Sequence, residues 1–324
     1  MTGRRRPTQS CVPQNGTETR KIVKELKDKI NRLKKEKNAV ILAHYYVNDE
    51  VQDVADYIGD SFYLSQIAKK AEANTIVFCG VSFMGESAKI LSPEKTVLMP
   101  DAAADCPMAH MVQKEKIQSM REEYGDLAVV CYINSTAELK ELSDVCVTSS
   151  NAVKIVKALP NKNIFFIPDG NLGRFVAKQV PEKNVILNDG YCPVHAKMTA
   201  AAVREARGQH PQAEVLSHPE CIEEVLELSD YIGSTSGIID YAGQSSGEEF
   251  IVCTETGVFY ELVKNNPDKS FYPVMEHQVC EDMKMITLEK VADVLEYGKN
   301  EVFVDVELRK GANIPLTNML KLGK

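Results

Sequence analysis

Three of the chain's nine cysteines recur at nearly equal intervals. Cys106, Cys192 and Cys280 lie 86 and 88 residues apart, each 11 or 13 residues after a Pro-acid-Lys turn at Pro93, Pro181 or Pro267. Other residues able to do chemistry keep almost the same interval. His44, Tyr132 and His218 open polar pairs completed by Tyr46, Asn134 and Glu220, and Ser61, Ser149 and Thr235 follow at matching distances. Three thiolates from three segments cannot all pair as disulfides, and they are too few to close a structural zinc site. They can hold a 4Fe–4S cluster with one iron left without a protein ligand, since such clusters usually take four cysteines. That open iron would be a Lewis acid, able to bind a hydroxyl or carboxylate and help water leave. An open Cys₃ zinc is the alternative. It has precedent in zinc deaminases, but their C-x-x-C signature is absent here.

A hydroxyl at the start of a helix, beside free N–H groups, suits a carboxylate or phosphate. Ser61, Ser149 and Thr235 therefore suggest a substrate with several anionic groups, although each can also serve simply as an N-cap. His44, His195 and His218 are candidates for acid–base or anion-binding work, because histidine titrates near neutral pH. Glu220, at a strand end, could present a general base. Arg174 could meet an anion, though its repeat partners are not basic, and His110, His210 and His277 read as surface or supporting residues. Cys79, Cys131, Cys146 and Cys253 sit in apolar, strand-like runs, where free cysteine acts as a small hydrophobe. Cys221 fits either reading.

The elements that must position these residues form an internal repeat. "VILAHYYVNDEVQDVADYIGDS", "AVVCYINSTAELKELSDVCVTSS" and "EVLSHPECIEEVLELSDYIGSTS" align, and Asp56, Asp144 and Asp230 stand 88 and 86 apart. Within the first unit "AVILAH", "DYIG", "TIVFCG" and "KTVLMPD" read as strands, with helical spacing between them. Such alternation with short connections predicts parallel sheets covered by helices. Each unit opens with a charged amphipathic helix, and a fourth, "ITLEKVADVLEYGKN", followed by "EVFVDVEL", reads as a half-repeat. The fold class expected is α/β: three α/β/α sandwich domains, each with a small parallel sheet, in pseudo-three-fold arrangement around a central site. The boundaries are a disordered tail over 1–19, repeats over 20–108, 109–194 and 195–281, and a docking segment over 282–324. Ligands of open α/β sheets sit beyond the carboxyl ends of the strands, where the polar pairs fall.

Composition excludes several classes. With a formal net charge of −8, broad attraction to nucleic acid is not expected. No apolar run approaches a membrane span, and the N-terminus lacks a secretory signal. An odd cysteine count without such a signal points to the reducing cytosol. The phosphate-loop, dinucleotide and zinc-protease signatures are missing. A non-catalytic three-lobed binder or iron–sulfur sensor, or a hydro-lyase for another hydroxy acid, could carry the same residues.

"LAHYY", "DVADYIGDS", "PDAAADCPMA", "YINST", "CVTSSNA", "PDGNLG", "GYCPVH", "SHPEC", "YIGSTSG", "CTETG" and "VCEDMKMITLEK" together resemble the quinolinate synthase family. The likeness covers nearly the whole chain except the arginine-rich N-terminus. It implies one 4Fe–4S cluster per chain, held by Cys106, Cys192 and Cys280 with one iron open. It further implies condensation of iminoaspartate with dihydroxyacetone phosphate to quinolinate, with loss of phosphate and two waters, in de novo NAD biosynthesis. An aspartate oxidase or dehydrogenase would supply the iminoaspartate. By the same resemblance His44, Ser61, Tyr132, Asn134, Ser149, His218, Glu220 and Thr235 bind substrate and His195 lines the site. Tyr46, Glu220 and His44 form the catalytic set.

Overall fold

In the computed structural model, which describes residues 15–323, the apolar runs become three separate four-stranded sheets. The first unit runs α1 (Asn15–Glu36), β1 (Ala39–His44), α2 (Asp49–Gln52), β2 (Tyr57–Gly59), α3 (Ser61–Lys70), β3 (Thr75–Cys79), α4 (Ser82–Leu91) and β4 (Thr96–Leu98). The second runs α5 (Lys114–Glu123), β5 (Leu127–Tyr132), α6 (Ala137–Glu141), β6 (Val145–Val147), α7 (Ala152–Ala158), β7 (Asn163–Ile167), α8 (Gly170–Gln179) and β8 (Asn184–Leu187). The third runs α9 (Ala200–Gln209), β9 (Glu214–Ser217), α10 (Glu223–Leu226), β10 (Tyr231–Ile232), α11 (Thr235–Gln244), β11 (Glu249–Cys253), α12 (Val258–Asn265) and β12 (Ser270–Pro273). Three helices close the chain: α13 (Glu281–Lys284), α14 (Leu288–Tyr297) and α15 (Val306–Leu322).

The sheets share one order, β2-β1-β3-β4, β6-β5-β7-β8 and β10-β9-β11-β12, and their ladders are parallel. In each, the chain leaves the first strand for one side and returns to the other. That creates a switch point at the carboxyl ends of the central strands. The central strands β1 and β5 are buried almost throughout, as helices on both faces require.

The aspartates that marked the repeat have one structural job. Asp56, Asp144 and Asp230 accept the amide N–H of Ile41, Val129 and Val215 at 2.8, 2.7 and 2.8 Å, which locks the second strand to the first. Lys34, Arg121 and Arg207, on the opening helix of each unit, pair with these carboxylates. The lysines of the Pro-acid-Lys turns also share a job. Lys183 donates to the carbonyls of Leu159 and Asn161, and Lys269 to those of Ala242 and Ser245. Lys95 likewise meets the Ala71 and Ala68 carbonyls. A cation thus sits at the C-terminal end of the second-strand helix in each unit, where the macrodipole favours it.

Buried apolar residues of the first two sheets, α14 and α15 form one continuous cluster, while the third sheet has separate clusters. α1 turns Ile30 and Leu33 inward and packs on α14. The segment read as a half-repeat starts with the expected helix, α14, but "EVFVDVEL" makes only one bridge, Glu301 to Leu98. Asp305 then caps α15 by accepting the amides of Glu307 and Leu308, so helix takes over from Val306. The tail expected over 1–19 lies largely outside the described residues, α1 beginning at Asn15. Among the described residues no helix is long and apolar enough to cross a membrane.

Candidate active site

One backbone hook delivers all three recurring cysteines. The amide N–H three residues after each unit's third strand reaches the carbonyl two residues before the cysteine: Ser82 to Ala104 (2.9 Å), Gly170 to Gly190 (2.8 Å) and Thr256 to Gln278 (3.1 Å). In the second unit the approach is so close that a Cβ on Gly170 would lie 2.5 Å from the Asn188 carbonyl, and one on Gly190 equally near that of Pro168. Glycine is therefore required at both positions. Cys106, Cys192 and Cys280 are half-buried and line one cavity of about 190 Å³. Cys79, Cys131, Cys146, Cys221 and Cys253 are fully buried, which places Cys221 with the core.

Burial pushes the Cys106, Cys192 and Cys280 thiols up, that of Cys280 to about 11. A bound cation would reverse this by stabilising the thiolates. Among the described residues Cys192, His195 and Glu220 bring three donor atoms within 4.8 Å of one another, which makes a possible metal site. Three soft donors, one from each unit, lining one cavity fit a multi-iron cluster.

The polar pairs surround the same cavity. His44 Nδ1 accepts the Tyr46 amide at 3.2 Å, and His218 Nδ1 accepts the Glu220 amide at 3.3 Å. Both rings therefore carry their proton on Nε2, and His218 donates it to Ser149 Oγ at 3.1 Å. Burial lowers His44 to about 3 and His218 to about 4, so both are neutral donors at pH 7. Burial alone would raise Glu220, but hydrogen bonds from His195 and Tyr132 oppose it and hold the carboxylate below its usual range. Burial and the nearby Glu220 charge push Tyr46 and Tyr132 well up, so both stay protonated phenols.

A chain of hydrogen bonds joins the catalytic candidates. The Tyr46 hydroxyl lies 2.8 Å from Thr235 Oγ1 and 2.7 Å from Thr254 Oγ1. Thr254 Oγ1 is 2.9 Å from His195 Nε2, and His195 Nδ1 is 2.8 Å from Glu220 and 3.2 Å from Cys192 Sγ. With Nδ1–H donating to Glu220, Nε2 accepts from Thr254, which accepts from Tyr46. A proton can pass between Tyr46 and Glu220 along this path.

The hydroxyls differ from simple caps. Ser61 and Thr235 are first helical residues, but Asp60 and Ser234 cap their helices. Ser149 sits in the turn before α7. All three line the cavity, as does Asn134, whose Oδ1 is buried without a protein partner. Arg174 does not reach the cavity and pairs with Glu223 instead. His210 stacks on Tyr272, His110 pairs with Asp105, and His277 is exposed.

Thr254, bonded to Tyr46 and His195, and Glu255 and Lys197, which line the cavity, escaped the sequence reading. Their repeat counterparts are Gly80 and Pro168, Val81 and Asp169, and Met111 and Met285, so the register carries no recurrent signal for them. Lys197 is the single lysine or arginine among the lining residues.

The family model for quinolinate synthetase A protein matches residues 28–321. The chain is 54% identical to the quinolinate synthase of Fusobacterium nucleatum over 297 residues, covering 92% of this chain and 99% of that protein. It is 52% identical to that of Caldicellulosiruptor bescii and 51% to that of Clostridioides difficile. Each match spans 301 residues, 93% of this chain and 99% of the relative.

Proposed function

The chain belongs to the quinolinate synthetase A protein family, and from that premise we propose that it condenses iminoaspartate with dihydroxyacetone phosphate to quinolinate, releasing phosphate and two waters. The observation that carries this reading is the shared cavity, in which one thiol from each unit meets the Tyr46–Thr254–His195–Glu220 chain. We place the enzyme in the cytosol, in de novo NAD biosynthesis, downstream of an enzyme that oxidises aspartate to its imine.

Cys106, Cys192 and Cys280 would hold a 4Fe–4S cluster. When bound, it supplies a Lewis-acidic iron without a protein ligand that can polarise a substrate oxygen. The remaining chemistry belongs to side chains. His44 and His218 present neutral N–H donors to substrate carboxylates without adding net charge. Ser61, Ser149 and Thr235 hold further anionic oxygens, and Lys197 attracts the phosphate in a cavity otherwise edged by carboxylates. Asn134 Oδ1 is free to accept the substrate N–H. Held together, the reactants avoid the entropic barrier of encounter. Glu220, kept ionised, takes a proton from carbon, and Tyr46 gives one to the departing hydroxyl. Once the His195 proton has moved to Nε2, Glu220 gives its proton to Nδ1 while Nε2 gives one to Thr254 and Thr254 one to Tyr46, so each dehydration leaves the chain as it began.

The test is an anaerobic assay of protein reconstituted with iron and sulfide, with quinolinate measured from the two substrates. The parent should form quinolinate. Cys192→Ser should lose both the broad visible absorption and the product. Glu220→Gln should keep the absorption while turnover falls about 10²–10⁴-fold, the usual scale of general acid–base catalysis. No quinolinate from an iron-loaded parent, or an unchanged Cys192→Ser protein, would refute the proposal.

A further inference from the structure

We infer that Glu255 and Lys284 form a strut that sets the Cys280 loop against Tyr46, acting as positioning residues in the site proposed above. The inference rests on Cys280 being a cluster ligand. Glu255 is 1% exposed, and its carboxylate gathers the Thr256 hydroxyl at 3.4 Å and three further donors. Oε1 accepts the Cys280 amide at 3.2 Å, Oε2 accepts the Gly257 amide at 2.6 Å, and the Lys284 ammonium lies 3.1 Å from Oε1. The same ammonium donates to the Tyr46 carbonyl at 2.7 Å. One ion pair thus touches the backbone of a ligand cysteine, a turn of the third unit and the backbone of the acid–base tyrosine in the first unit. Asn48 fastens α13 from the other side, donating to the carbonyls of Lys284 and Ile286 at 3.1 and 2.7 Å.

The repeat register shows that the device is specific to the third unit. The counterparts of Glu255 are Val81 and Asp169, and those of Lys284 are His110 and Ala196. The first unit has His110 at this place, but it pairs with the half-buried Asp105. The second has the acid, but one oxygen of Asp169 is buried without a partner. Only the third combines a buried acid with a cation that reaches a neighbouring unit. A flexible lysine spanning a carboxylate and a carbonyl fixes their separation, and that separation sets the reach from Cys280 to the Tyr46 backbone.

The strut is tested on anaerobically reconstituted protein by two readouts: iron loss to excess chelator, followed by visible absorbance, and kcat with KM. Lys284→Met should release iron several-fold faster than the parent. Its kcat should fall about ten- to hundred-fold with little change in KM, the scale of a misplacement of about an ångström. Lys284→Arg should restore both. Asn48→Ala should shift both in the same direction as Lys284→Met. Lys290→Met, which breaks a similar pair with Asp101 outside the cavity, should leave iron release at the parental rate. Parental iron release and kcat in Lys284→Met, or equal acceleration in Lys290→Met, would overturn the strut. Should an iron-loaded parent make no quinolinate, the proposed reaction falls while the iron-release comparison still decides the strut.

Discussion

Burial acts in opposite senses on the titratable residues of the cavity. It strips His44 and His218 of their charge, while hydrogen-bond donors keep Glu220 ionised against the same pressure. The histidines have a measurable consequence. Their folded values, about 3 and about 4, lie below the unfolded value of about 6.5. As pH falls through 6.5 the unfolded chain takes up protons first, and stability drops until the folded rings titrate. Each histidine should contribute a slope of about 1.4 kcal/mol per pH unit between those limits and none above them. Urea unfolding of His218→Gln should therefore weaken less steeply than the parent between pH 6.5 and 4.5. Equal slopes would show that the imidazole is solvated in the fold. At this scale the sequence was legible wherever chemistry recurred: the recurring cysteines, polar pairs and hydroxyls line one cavity, whereas Arg174, which has no basic counterpart in the repeat, does not. Thr254 and Lys197 occur once per chain in their registers, and only proximity reveals them.

The clamp formed by Asp56, Asp144 and Asp230 explains why short second strands hold at all. β10 has two residues and β2 and β6 have three each, too few for ladder hydrogen bonds alone to secure. An ionised carboxylate on a backbone amide contributes about 1.5–3 kcal/mol. Asp144→Ala should lose that much in an unfolding titration, with Asp56→Ala and Asp230→Ala losing similar amounts and iron content unchanged. Losses below about 0.5 kcal/mol in all three would assign strand docking to packing instead. Strands, opening helices and turns were readable because alternation, amphipathic spacing and Pro-acid-Lys turns are local properties. The end of the chain was less so: "EVFVDVEL" has β-branched residues suited to a strand, yet the Asp305 cap turns its second half into helix.

The three units close on one another through equivalent contacts. Gln52 donates to the Gly257 carbonyl, joining the first unit to the third, and a Cβ on Gly257 would lie 2.5 Å from the Tyr45 carbonyl. Lys140, the counterpart of Gln52, lies over the Phe83 ring, while Glu86 accepts the Ala137 amide, joining second to first. Asn171 donates to the Glu220 carbonyl, joining third to second. Phe83, Asn171 and Gly257 are repeat counterparts, so one head-to-tail contact used three times closes a ring and leaves the cavity on its axis. Gln52 also donates to the Tyr45 and Val47 carbonyls. Gln52→Leu should leave three buried acceptors short of a donor, costing about 1–3 kcal/mol. Amide exchange should accelerate around residues 45–52 and 254–258, with the second sheet still protected. Uniform acceleration across all three sheets would show that this contact is not a local seam.

By itself the sequence determined the unit, its repetition and the residue types at the strand ends, because periodicity and turn chemistry are written within a few residues of one another. Only the tertiary structure decided that His195 rather than His44 contacts Glu220, that Thr254 bridges Tyr46 to His195, and that the three cysteines share one cavity with this chain. Those facts join side chains as much as 208 residues apart. No local pattern constrains such distances until the ring of units has closed.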